Sequence, residues 1–165
     1  MSYSIAQINS MSQDEFVAAL GAVFEETPAI ARSTWEKRPF ADVTALYQQM
    51  VNAVKTMSKP EQLALIRVHP DLGSKVKMAE ASVQEQSGVG LDRLTASQYE
   101  YFEKLNAAYK AKFGFPFIVA VKNHTKDSIF TAFEQRLENS VDQEFDKAIA
   151  EIYQIAQFRL SAIVL

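Results

Sequence analysis

Cysteine is absent from all 165 residues. That excludes disulfides, thiolate-held metals and a cysteine nucleophile, and it fits a reducing compartment. No run of residues approaches the roughly 18 apolar positions that a membrane span requires. Charge of one sign is never concentrated: Lys, Arg, Asp and Glu are interspersed and sum to a net −3, which leaves no electrostatic footprint for nucleic acid or an anionic membrane. Histidine occurs only twice, at His69 and His124, and there is neither an HExxH motif nor a phosphate-binding P-loop, so no metal site is expected. Met1 to Ser10 lacks a basic stretch followed by an apolar one, and Ala162-Ile163-Val164-Leu165 is not a peroxisomal Ser-Lys-Leu address. These absences predict a soluble, unexported, cytoplasmic protein with neither nucleic acid nor membrane as partner.

What is present is a 48% hydrophobic chain of a length that suits one domain, with no repeat, linker or low-complexity tract to divide residues 1–165. Ser12 and Glu15 form a capping box ahead of Phe16, Leu20, Val23 and Phe24, so a first helix is expected near Gln13. Pro28 opens a second helix through Trp35, and Val43, Leu46, Tyr47, Met50, Val51 and Val54 mark a third. Ser58 and Glu61 box the next, which should stop by Val68 because His69 precedes Pro70. Asp71 to Lys75 reads as a loop, and Met78 to Gln86 as helix until Gly88 and Gly90. Thr95 and Gln98 cap a helix carrying Tyr99, Phe102, Asn106 and Tyr109, ended at Gly114. Phe115 to Val121 has strand-like composition but no partner run, so it is expected as a lone buried extended or irregularly helical segment. Thr125 to Leu137 and Ser140 onward are helical in period. The fold class is therefore all-α, a single-domain bundle of about eight helices.

Few residues in this pattern could carry chemistry. His69, at a helix end before a polar loop, suits proton transfer, although the commoner role of such a histidine is to partner the helix dipole. Ser82, Glu85 and Gln86 share one helix face, which either holds a polar ligand or is simply solvated. Gly88-Val89-Gly90 reads as a turn that can also let backbone approach a ligand, and His124 reads as an ordinary loop residue. Arg159 falls on the apolar line Phe145, Ile149, Ile152, Ala156 and Ile163, where it must reach an edge, pair with an internal carboxylate or grip an anionic ligand.

The runs His69-Pro70-Asp71-Leu72 with Lys75, Ser82-x-x-Glu85-Gln86-Ser87-Gly88-x-Gly90-Leu91, Leu105-Asn106-x-x-Tyr109-x-x-x-Phe113-Gly114-Phe115-Pro116-Phe117-Ile118 and Arg159-Leu160 come in order and at suitable separations. Over essentially its whole length the chain resembles OHCU decarboxylases, which act on 2-oxo-4-hydroxy-4-carboxy-5-ureidoimidazoline. Leu72 and Gly73 are adjacent here where the family often has an intervening Ala. The resemblance implies an all-α fold, a homodimer, no cofactor, OHCU as small-molecule substrate, and functional coupling to the enzymes that make OHCU from urate. It also implies that His69 is the acid/base and that Glu85 assists it. Pro70, Ser82, Gln86 and the backbone of Phe117, Ile118, Val119, Ala120 and Val121 would bind substrate, and Arg159 would grip the carboxylate. Other classes that the sequence admits are a helical interaction module and a hydrolase acting on a related ureido compound.

Overall fold

Short polar side chains begin most of the helices. Ser4, Ser12, Thr95 and Thr125 each accept from the backbone N–H three residues on, and the side chains of Gln7, Glu15, Gln98 and Ser128 accept in return from the cap's own N–H. Each such box pairs donors that a helix N-terminus otherwise leaves orphaned. The computed structural model describes residues 1–73 and 80–165. Among the described residues there are nine α-helices: α1 (Ile5–Ser10), α2 (Gln13–Leu20), α3 (Pro28–Trp35), α4 (Val43–Lys55), α5 (Lys59–Arg67), α6 (Glu80–Gly88), α7 (Ala96–Phe113), α8 (Lys126–Arg136) and α9 (Val141–Ile163), with one 3₁₀ turn at Val121–Asn123. No strand occurs among them; Tyr3 and Val164 form an isolated bridge. The all-α expectation holds.

The helix α1 was not anticipated, because six residues give too little periodicity, although its Ser4/Gln7 box is of the same kind that marked α2. The expected Asp71–Lys75 loop is described only as far as Gly73, and Lys75 and Met78 lie outside the described residues.

The chain parts into two compact units, Met1–Leu65 with Tyr153–Leu165, and Ile66–Ile152. In the first, α2 packs on α3 and α3 on α4, around Ile8, Phe16, Leu20, Leu46, Met50 and Val54, all buried. Asn9 fixes the entry to α4 by reading both backbone groups of Phe40: its Nδ2 donates to the carbonyl at 2.9 Å and its Oδ1 accepts from the N–H at 2.8 Å. Tyr47 donates to the Tyr153 carbonyl at 3.0 Å, tying α4 to the last turns of α9 within the same unit.

The second unit is built on aromatic rings. Tyr109 on α7 packs edge-on against Phe117 and Phe133, which stack on each other with centroids 3.9 Å apart. Helix α7 ends at Gly114, whose φ of 77° is the left-handed conformation that favours glycine. The run that follows enters the core: Phe115 and Phe117 through Val121 are all buried. It forms no strand and closes in the 3₁₀ turn, against which α6 packs.

Candidate active site

His69 sits just past α5, its N–H closing the helix end on the Ile66 carbonyl at 3.2 Å. The residue is buried, at 9% exposure, and Pro70 beside it is half-buried. The three residues after Pro70 are each tied down. Asp71 pairs with Lys110 at 2.8 Å, the Leu72 carbonyl accepts from Asn106 Nδ2 at 2.9 Å, and the Gly73 N–H donates to Gln86 Oε1 at 3.1 Å. A histidine followed by a loop held at three points keeps its backbone in one place, which is the support a proton-transfer group requires.

Helix α6 buries its polar side. Ser82 is 4% and Gln86 6% exposed, while Val83 is 47% exposed, and Glu85 between them is half-buried. The solvated-face alternative is thereby excluded for Ser82 and Gln86. Burying an amide and a hydroxyl while leaving a valine in water is opposite to what stability alone selects, and such inversions concentrate at functional surfaces.

Phe117 to Val121 is held by charged side chains from α8 and α9. Arg136 donates to the Ile118 carbonyl and lies over the Phe117 ring, 4.3 Å from its centroid. Its Nε donates to Glu144 at 2.8 Å, and that fully buried carboxylate also accepts from Tyr109 Oη at 2.6 Å and Asn139 Nδ2 at 2.8 Å. Burial first, and the bond to Glu144 second, push the Tyr109 hydroxyl's pKa above its usual value of 10. Glu151 accepts from the Ala120 N–H at 3.4 Å. Among the described residues, the N–H groups of Ile118 and Val119 donate to no protein acceptor.

Arg159 belongs to the other unit, on the last turns of α9. Of the three sequence alternatives, the structure shows the internal carboxylate in place: one terminal nitrogen donates to Glu25 Oε2 at 2.9 Å and the other to the Ala22 carbonyl at 3.2 Å. Glu25 and Arg159 are both buried, so the pair holds the planar guanidinium in a fixed plane. His124 does more than was expected of a loop residue: its N–H closes the 3₁₀ turn and its Nδ1 lies 2.9 Å from Ser128 Oγ.

Sequence reasoning did not single out Glu25, Arg136, Glu144 or Glu151. Arg136 follows Ile129 and Phe133 by seven and three residues, the same apolar-line test that found Arg159, and it would have been visible there. The described residues hold no group of three or more His, Cys, Asp or Glu side chains placed to bind a metal ion. Nor is any described helix long and apolar enough to cross a membrane.

The sequence model of the OHCU decarboxylase family matches residues 9–161. The chain is 42% identical over 160 residues to the 2-oxo-4-hydroxy-4-carboxy-5-ureidoimidazoline decarboxylase of Halalkalicoccus jeotgali, covering 97% of this chain and 91% of that one. It is 43% identical over 159 residues to the uric acid degradation bifunctional protein of a Bacillus species, covering 96% of this chain and 32% of the relative. The crystal structure of an (S)-allantoin synthase superposes with a TM-score of 0.79 at 27% identity, over 97% of this chain and 54% of that one. With the family's match spanning nearly the whole sequence and a relative 42% identical over 97% of it, the chain belongs to the OHCU decarboxylase family.

Proposed function

We propose that the protein decarboxylates OHCU to (S)-allantoin and CO2, a carbon–carbon lyase reaction of urate breakdown, with the 165 residues acting as one domain. The observation that carries this is the inverted polarity of α6, which buries Ser82 and Gln86 and packs against the 3₁₀ turn that closes the run from Phe117, in a chain whose family is named for this reaction. The substrate supplies its own electron sink. As the C–CO2 bond breaks, its electron pair flows toward the adjacent ring C=N, whose nitrogen takes a proton, so no cofactor is required for the step. The enol-like intermediate then loses its hydroxyl proton and gains one at the ring carbon bearing the ureido group. The face that receives this proton sets the product's hand.

The residue roles proposed are those that the family resemblance implies. His69 moves the hydroxyl proton with Glu85 assisting, a contribution of about 10²- to 10⁴-fold. Pro70 contacts the substrate at the edge of the loop, Ser82 and Gln86 bind its amides, and the backbone of Phe117 through Val121 offers further hydrogen bonds. Arg159 takes the carboxylate as a planar fork. The protein works as a cytoplasmic homodimer, functionally coupled to the enzymes that make OHCU; the Bacillus relative, named for two functions in uric acid degradation, supports that coupling. Freshly generated OHCU should yield CO2 and no ammonia on addition of the protein. Ammonia without CO2 would point to hydrolysis of a ureido group, and an unchanged spontaneous decay would leave a helical interaction module.

A further inference from the structure

Two side chains of opposite charge hold consecutive peptide units of the buried run. Arg136, 6% exposed, takes the Ile118 carbonyl, and Glu151, 9% exposed, takes the Ala120 N–H. Both peptide bonds are trans, since among the described residues only Arg38–Pro39 is cis. In a trans peptide the C=O and N–H point in opposite directions. With the Ile118 carbonyl aimed at Arg136, the Val119 N–H of the same unit faces away from Arg136. With the Ala120 N–H aimed at Glu151, the Val119 carbonyl of that unit faces away from Glu151. Val119 is 4% exposed, and neither its N–H nor its C=O has a partner among the described residues. Buried backbone groups are almost always paired. One donor and one acceptor on a single residue match the N–H and C=O of one amide edge.

We propose that Arg136 and Glu151 are positioning residues that aim the N–H and C=O of Val119 at one amide edge of the substrate, the donor toward a substrate carbonyl and the acceptor toward a substrate N–H. The proposal rests on the decarboxylase function proposed above and adds to it the groups that fix the edge's orientation. Stability alone does not account for Arg136. Its ion pair with Glu144 is complete without the bond to Ile118, and one guanidinium nitrogen stays buried with no partner, a cost that a purely stabilising pair would not carry.

The test compares Glu151→Leu, Glu151→Gln and Arg136→Lys with the parent protein. Glu151→Leu removes the acceptor without stranding a charge, and should raise KM for OHCU about tenfold, the size of one lost hydrogen bond, with kcat changed less than about twofold. Glu151→Gln keeps an oxygen for the Ala120 N–H and should recover KM to within about twofold. Arg136→Lys keeps a cation beside Glu144 but loses the fork to Ile118, and should raise KM in the same way; it carries the test if Glu151→Leu fails to fold. Lower melting temperatures with unchanged KM in these variants would overturn the proposal. A parallel titration with (S)-allantoin, following the ¹⁵N–¹H signal of Val119, separates this from failure of the decarboxylase function. The signal should move in the parent and in Glu151→Gln but not in Glu151→Leu, whether or not OHCU is turned over. Equal movement in all three, or none in any, would sink the clamp.

Discussion

Arg159 carries a buried structural pair beside the substrate-binding role proposed for it. Glu25 and the Ala22 carbonyl fix its plane, and a lysine at 159 would present a point charge that cannot hold both partners and a carboxylate. Arg159→Lys is expected to keep the helical spectrum while raising KM for OHCU about tenfold; an unchanged KM would assign Arg159 to the ion pair alone. Tyr109 makes a pH-dependent contribution. Its folded pKa lies above the unfolded value of 10, so the stabilisation is fully present below pH about 10 and is lost as pH rises, because the unfolded chain ionises first. Denaturation between pH 9 and 11 should show stability falling by up to about 1.4 kcal/mol per pH unit from this group, and Tyr109→Phe should remove that part of the slope. Equal slopes would contradict it. Arg159 was legible in the sequence because it interrupts an apolar line. Glu144 and Glu151 were not. The line drawn through Phe145 and Ile149 lies beside the truly buried face, Glu144, Ala148, Glu151, Ile155 and Arg159, and a carboxylate counts against burial until its partners are known.

Helix ends were the most legible elements. Thr95, Gln98 and Gly114 bracket α7 as their spacing predicted, and Pro28 through Trp35 is α3 as expected, because caps and breakers act within a few residues and need no tertiary context. The Cβ of an alanine at Gly114 would approach only Arg67, at 3.9 Å. Gly114→Ala should therefore cost about 1 kcal/mol from the left-handed backbone alone, read as a shift in denaturation midpoint with an unchanged slope. A loss several times larger would mean that the turn into the Phe115 run needs more than a conformational allowance. The α6 helix was legible as a helix, described from Glu80 to Gly88, but the sequence left its orientation open. The sequence left the face of Ser82, Glu85 and Gln86 either solvated or holding a polar ligand, and the structure buries Ser82 and Gln86, with Gln86 accepting from the Gly73 N–H. A polar helix face has no sequence signature for being buried; the family's motif is what flagged it.

At the scale of the chain, helical period and caps pointed to the fold class and the motifs pointed to the family. Absence of cysteine and of a long apolar run excluded disulfides and a membrane span, helical period gave the all-α class, and four motifs in order pointed to one family, whose match spans residues 9–161. The pairing of particular groups, Glu25 with Arg159 and Arg136 with Glu144, depends on contacts distant in sequence or hidden on a face, and these only the structure supplies. Everything proposed for the site depends on His69 carrying the proton in OHCU decarboxylation. The most direct measurement generates OHCU enzymatically, adds the parent protein or His69→Asn, and follows circular dichroism for optically active allantoin, with the melting temperature read on the same preparations. The parent should build an (S)-allantoin signal faster than spontaneous decay to racemate, and His69→Asn should slow it at least about 10²-fold while melting within a few degrees of the parent. A His69→Asn protein that melts early yet still makes (S)-allantoin at near the parent's rate would contradict the account.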